Sequence, residues 1–428
     1  MNNKRSDRRR FLKKSAALAR LGLAGLAIGA VTPARGQELA TETPTVPSGK
    51  AKDLGPYGER SRFVTAVRKR MGNGDGFILT PLQDSEGIIT PNSLHYVSSR
   101  DPSPYTPPTD IDPSQHRLLI HGLVDRPLIF TMEELKRLPS VSRIHFIECV
   151  ANTIPTQGRW VWETVQERHG KMSCAQWTGV PLSLLLKEAG VKPAASWIIA
   201  EGADSIKHSM EIPLEKAMDD VIVAYGQNGE PVRPQNGFPL RLVVPGWEGV
   251  RHVKWLRRLK VVDRPYLTQT ESSINPRLRP DGKALWFNCE MGPKSVITFP
   301  ASGGPRLQGP GFYEITGLAW SAGGVIRKVE VSTDGGRGWR QAQLEEPVLR
   351  IAHTRFHLDW KWDGKEAVLQ SRCTDEQGNV QPSLAEFAKI WGVQPNYFQT
   401  TKNTVTHFNP VQPWRVDSEG SAHNAIWL

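Results

Sequence analysis

The chain has 428 residues, enough for two or three domains, and 39% apolar and 23% charged residues with 38 glycines and 33 prolines describe a globular protein rich in loops and β structure. Its net charge of +11 invites a nucleic-acid reading, but residues 1–36 carry nine bases against one acid, so +8 lies there and only +3 is left for the remainder. No long basic run follows residue 36, which argues against a phosphate-backbone surface.

In chain order, Arg8-Arg9-Arg10-Phe11-Leu12-Lys13 fits a twin-arginine export signal, followed by an apolar stretch to Val31 and a small-residue site at Ala34-Arg35-Gly36. The apolar stretch holds Arg20 and is too short for a comfortable membrane span, so residues 1–36 read as a signal peptide and the mature chain as a periplasmic protein without a span. Such export carries folded proteins and suits a cofactor inserted beforehand. Residues 37–90 read as an extension or linker, with a short helix expected over Arg60–Met71.

Residues 91–290 mix short elements. Arg117–His121, Ile144–Cys149, Arg241–Val244 and Trp255–Val262 read as strands, and Met132–Leu138 and Pro181–Ala189 as helices. The second helix has Leu182, Leu185 and Leu186 on one face, Pro181 at its start and Gly190 past its end. Regular βαβ alternation with a GxGxxG turn is missing, so the fold class is α+β rather than doubly wound. From about Ser295 the pattern is β. Phe312–Trp320, Ile326–Ser332 and Ala367–Arg372 read as strands, with turns at Asp334-Gly335-Gly336 and Asp375–Asn379, which suggests an immunoglobulin-like sandwich over 291–395 before a tail at 396–428.

The cysteines are Cys149, Cys174, Cys289 and Cys373. None forms a CxxC pair and no CxxCH occurs, against zinc-ribbon, thioredoxin-like and covalent c-type haem readings for this chain, and the disulfide state of Cys174, Cys289 and Cys373 is left open. Cys149 ends an apolar strand and leads into a loop. Read alone, it is a small buried hydrophobe, a nucleophile or a metal ligand. A second segment combines glycine turns with Arg241, Arg251 and Lys254, either a solvated hairpin or a cradle for a large anionic ligand.

Taken together, the stretches HFIECVAN, WTGVPLSLLLKEAGVK, NGFPLRLVVPGWEGVRHVKWLRRLKV, GLAWSAGGVIRKVEVSTDGG and VLQSRCTDEQGNVQP resemble the sulfite oxidase family of molybdopterin enzymes, and within it the sulfane dehydrogenases of bacterial thiosulfate oxidation. The resemblance implies a molybdopterin-binding domain followed by an immunoglobulin-like dimerisation domain. It implies a molybdenum–molybdopterin cofactor with Cys149 as metal ligand, and Tyr225 as the active-site tyrosine. Asp204, Asn236, Arg241, Arg251, His252, Val253 and Lys254 fall where the family holds the cofactor, Asn236 replacing a histidine. It further implies oxygen-atom transfer to sulfur, a separate dihaem c-type cytochrome as electron acceptor, a sulfur-carrier protein bearing the substrate, and a homodimer of this chain within a heterotetramer. One departure bears on substrate: sulfite oxidases place an oxyanion-binding arginine five residues after the ligand cysteine, where this chain has Ile154, and Arg100 of the upstream loop is the remaining candidate. Sulfane sulfur is therefore expected over free sulfite. The alternatives are a periplasmic sulfite dehydrogenase, a reductase of the same fold and a non-enzymatic exported binding protein.

Overall fold

The structure is a computed structural model that describes residues 57–71, 77–98, 111–153, 162–273, 275–287, 289–400 and 406–427. The signal and linker expectations over 1–56, together with Arg100 and Ile154, lie outside the described residues. Residues from Thr65 onward form one compact unit.

Arg60–Met71 is not a helix: its ordered part is a short strand, Lys69–Arg70, paired antiparallel with Phe77–Leu79. Its apolar side chains Phe63, Val64 and Val67 are exposed, so a helix here would have no core to pack against.

The first half holds two five-stranded sheets. In one, Val141–Glu148 and Ile222–Gln227 flank the long strand Met172–Pro181, and Arg241–Val243 pairs with the outer side of Ile222–Gln227. In the other, Arg117–Gly122 runs parallel to Leu256–Val262, and the remaining pairs are antiparallel. A parallel pair between strands so distant in sequence needs crossover helices. Helix Leu182–Ala189 is one of them: Leu182, Leu185, Leu186 and Ala189 enter a core with Leu118, Ile120, Ile198 and Leu259. Gly190 ends it in the left-handed conformation (φ 71°), donating to Leu186 O and Lys187 O. Helices Met132–Arg137 and Val165–His169 each begin with a complete capping box, at Thr131/Glu134 and Thr164/Glu167.

The second half is a sandwich. Lys294–Phe299, Gly311–Trp320 and Thr354–Trp362 form the spine of one sheet, and Ile326–Ser332 and Ala367–Asp375 that of the other, which Trp414–Val416 and Ala422–Asn424 extend. Alternation carries the inward side chains of Ile326–Ser332, namely Val329 and Val331, into a core with Val296, Leu318, Phe356, Leu369, Cys373 and Trp414. That core does not stop at the sandwich. Phe146, Val165, Met172 and Cys174 of the first half belong to the same apolar cluster, so the sheet built on Met172–Pro181 and the sandwich share an interior. The two halves are therefore joined by buried surface rather than by a hinge. The architecture is α+β followed by a β-sandwich.

Candidate active site

Strand Val141–Glu148 delivers Cys149 into a tight turn: its amide donates to Lys171 O (2.9 Å) and its carbonyl accepts from Asn152 N (2.8 Å). Cys149 is partly exposed and packs against the cluster of Tyr96, Ile147, Ala175 and Trp177. The other three cysteines are buried, and all four are free thiols. Burial pushes Cys174 and Cys289 up to about 12 and raises Cys373 too, which keeps them protonated and inert. Cys149 is thus the one cysteine that a ligand can reach.

Beside it lies a cradle of aromatic and polar groups. His95 stacks on Tyr96 with ring centroids 5.5 Å apart, and Trp177 meets His95 edge-on at 5.8 Å. The Arg241 guanidinium sits 4.7 Å above the Trp177 ring. Arg241 Nη1 donates to Asn236 O (2.7 Å), and Asn236 Nδ2 reaches Tyr96 O (3.4 Å). Lys254 Nζ donates to Ser98 O (2.8 Å) and Gln235 O (3.1 Å). Gly237, at φ 114°, closes this turn; a Cβ there would stand 3.1 Å from the Cβ atoms of both Arg241 and Lys254.

The electrostatics of the cradle are unbalanced. Burial, and then the neighbouring Arg241, push Lys254 down to about 7, while burial brings Arg241 down to about 10. Neither cation has a carboxylate at ion-pair distance among the described residues; Asp204, whose Oδ1 accepts from His208 N (2.7 Å), favours the charged form of Lys254 from further away. Three buried polar atoms on neighbouring side chains, His95 Nε2, Asn236 Oδ1 and Arg241 Nε, have no hydrogen-bond partner. Leaving such atoms unmatched costs free energy, so these side chains have hydrogen-bonding capacity that the protein itself does not use.

The other sequence-predicted residues do not enter this cradle. Arg251 is fully buried in an ion pair with Glu271, and its Nη1 also donates to Glu211 O (2.7 Å). His252 accepts from Val244 N at Nδ1 (3.2 Å) and donates from Nε2 to Trp247 O (3.1 Å), a ring that burial keeps neutral. Val253 is a core side chain whose carbonyl accepts from Leu242 N (2.8 Å). These three brace the loop from which Lys254 projects.

Tyr225 occupies a β-bulge. Ala224 pairs with Gly179 and Gly226 with the adjacent Thr178, so Tyr225 is the extra residue, and its carbonyl accepts from Val232 N (3.1 Å). It stands where the outer edge of its strand passes from Arg241–Val243 to Glu230–Pro231. Partly buried, it packs against the main core of the first half and not in the cluster that holds Cys149.

Sequence reasoning missed His95, Tyr96 and Trp177, which form the aromatic wall, and Glu148, which precedes Cys149. Buried Glu148 accepts from Lys294 Nζ (2.8 Å) and Asn152 Nδ2 (2.9 Å) at Oε1, and from Trp320 Nε1 (2.8 Å) at Oε2. Burial, the largest single influence, raises its carboxyl, but Lys294, His407 and the hydrogen bonds from Lys294 and Asn152 together outweigh it and hold the group below the usual range.

Residues 105–270 match the family described as oxidoreductase molybdopterin binding domain, and residues 287–405 match the Mo-co oxidoreductase dimerisation domain. Mitochondrial sulfite oxidase of Mus musculus is 30% identical, the alignment covering 83% of this chain and 68% of that protein. The NADH nitrate reductase of Solanum lycopersicum is 33% identical over 72% of this chain, which spans only 37% of that longer protein. The crystal structure of the sulfane dehydrogenase SoxCD from Paracoccus pantotrophus superimposes with a TM-score of 0.81 and 39% identity, over 91% of this chain and 97% of that one.

Proposed function

Since the chain belongs to the sulfite oxidase family of molybdenum oxidoreductases, we propose that it oxidises sulfane sulfur presented on a carrier protein and passes the electrons to a separate c-type cytochrome. The observation that carries this reading is the near-complete match to a sulfane dehydrogenase, at 39% identity over 97% of that chain.

The residues present fit a molybdopterin. Two buried cations without carboxylate partners suit its phosphate, and the unpartnered atoms of His95, Asn236 and Arg241 suit the hydrogen-bonding edge of a pterin. Among the described residues no group of three or more His, Cys, Asp or Glu side chains is arranged for a metal, so Cys149 would be the protein's thiolate contribution to one held mainly by the cofactor. When bound, the cofactor supplies oxygen-atom transfer and two-electron redox chemistry. Cys149 ligates the metal. Arg241, Lys254 and Asn236 bind and orient the pterin and its phosphate, and Asp204 steadies the charge of Lys254. Tyr225, which packs in the neighbouring core, would help position the oxygen to be transferred by a hydrogen bond from its phenol.

Substrate choice follows from Ile154. An arginine at that position would offer sulfite a charge-assisted pair of about 1.5–3 kcal/mol, which isoleucine forfeits. In this reading residues 1–36 direct export through the twin-arginine pathway, the mature protein works in the periplasm, and two copies pair through residues 287–405 within a heterotetramer.

The test assays purified, molybdenum-loaded protein with cytochrome c as acceptor, using thiosulfate-loaded carrier protein and free sulfite in parallel. Higher kcat/KM for the loaded carrier supports the proposal; faster oxidation of free sulfite overturns the substrate assignment. Cys149→Ser is expected to abolish turnover and leave the thermal transition in place, and retained turnover would refute the ligand assignment.

A further inference from the structure

Cys149 lies within a short turn whose two ends are held by one side chain from the other half of the molecule. Lys294, on the first long strand of the sandwich, donates to Glu148 Oε1 (2.8 Å) on the N-terminal side of Cys149 and to Thr153 Oγ1 (2.6 Å) on its C-terminal side. Trp320, from the adjacent sandwich strand, takes the second oxygen of Glu148. Asn152 closes the ring: its Nδ2 donates to Glu148 (2.9 Å) and its Oδ1 accepts from Lys171 N (3.1 Å), while the Lys171 carbonyl accepts from the Cys149 amide. Thr153 also contacts His169 Nδ1 (3.3 Å).

Two facts say that this ring does more than fill space. Thr153 has φ 73°, a left-handed backbone that a β-branched residue adopts only when its surroundings impose it. Glu148 and Lys294 are both essentially inaccessible, at 0% and 1% side-chain exposure, and a buried ion pair is a costly way to stabilise a fold that an apolar pair would serve as well. What such a pair supplies is directional fixing of the elements that bear it. Here those elements are the strand end carrying Cys149 and the first strand of the sandwich.

We infer that Lys294 is a positioning residue for the reaction: with Trp320 it makes the sandwich half set the orientation of the Cys149 turn, and so of the thiolate toward its metal. The inference rests on Cys149 being the metal ligand. It gives the second half of the chain a part in the active site, acting through Glu148 and Thr153 and not by contact with substrate. The side chains that orient a ligand commonly alter activity or metal affinity by about 10–100-fold when removed.

The experiment uses the full-length holoenzyme carrying Lys294→Met, with molybdenum quantified, kcat and KM measured separately, and the electron paramagnetic resonance signal of the one-electron-reduced enzyme recorded. That signal reports thiolate geometry at the metal and would not move if Lys294 served stability alone. The expected result is molybdenum retained, kcat down about tenfold or more with KM changed by less than about twofold, and shifted g-values, with Lys294→Arg restoring part of both. Should Lys294→Met fail to fold because Glu148 is left as an unpaired buried charge, the double variant Glu148→Gln/Lys294→Met removes both charges and carries the same readouts. Wild-type g-values and kcat in a molybdenum-loaded Lys294→Met or double variant overturn the inference. Failure of the ligand assignment itself shows separately, as an unchanged resonance signal in Cys149→Ser.

Discussion

Arg251 and Lys254 lie on one short loop, both are cationic and both are drawn into the interior, yet their surroundings are opposite. Arg251 meets Glu271 and the Glu211 carbonyl, and nearby Arg277 meets Glu248, so both buried cations on that side have a counter-charge within the protein. Lys254 and Arg241 meet carbonyl oxygens and aromatic faces, and burial pushes both pKa values down. A buried cation that the fold neutralises is part of the fold. One that the fold leaves unneutralised is a candidate to bind an anion from outside.

The largest test of that contrast removes a counter-charge. Glu271→Ala strands Arg251 in the interior and is expected to cost about 3–5 kcal/mol of unfolding free energy, read from the shift in urea midpoint. A loss below about 1 kcal/mol would mean that the saturated side is not the structural one. On the other side, Arg241→Met removes a cation that has no partner carboxylate. Molybdopterin occupancy, measured as metal per chain at limiting cofactor, should fall by an amount corresponding to about 10–100-fold in affinity, while the melting temperature of the cofactor-free protein holds or rises. Parallel loss of occupancy and of apoprotein stability would erase the distinction.

Acid reaches both regions through histidines held neutral by burial. His95 of the cradle lies at about 3, as does His353 in the shared core, and His145 and His407 lie at about 4, against an ordinary value of 6.5. Between those values the unfolded chain binds protons that the folded chain refuses. Stability is therefore full above pH 6.5 and declines as pH falls toward 4, by up to about 1.4 kcal/mol per pH unit for each such group. Thermal melts of the protein from pH 7 to pH 4 measure the slope, and a flat profile would contradict the buried-neutral assignment. The smallest effect is expected for Gly237→Ala, which forces a side chain into a left-handed turn against Arg241 and Lys254 and should cost about 1 kcal/mol in a denaturant titration.

The fold was legible wherever one face of an element meets a core. Helix Leu182–Ala189 and strand Ile326–Ser332 carry their periodicity openly, and both appear where the pattern puts them. Arg60–Met71, expected as a short helix, keeps its apolar residues exposed, and a short segment without a face to bury does not hold a helix. In the site, local sequence singles out Cys149 at its strand end and Arg241 and Lys254 beside glycine turns as candidates. It does not separate Arg251 from Lys254, because the distinction lies in Glu271 and Glu211, brought in by tertiary folding. Nor does it flag Lys294, a lysine between a proline and a serine that reads as a solvent-facing strand residue and is instead fully buried. His95, Tyr96 and Trp177 come from a loop and a sheet strand, and no spacing rule joins them.

The bulge at Tyr225 sets that residue apart from the sheet that carries it. Deleting one residue there would let Ile222–Gln227 and Met172–Pro181 pair in unbroken register, with the ladder hydrogen bonds preserved or even improved. Gly226 and Gln227 would keep Thr178 and Trp177 as partners, and with them their present faces of the sheet. The strand can therefore lose the Tyr225 side chain and its local bend without exchanging a single inward for an outward residue, which makes the tyrosine a removable insert in an otherwise continuous ladder.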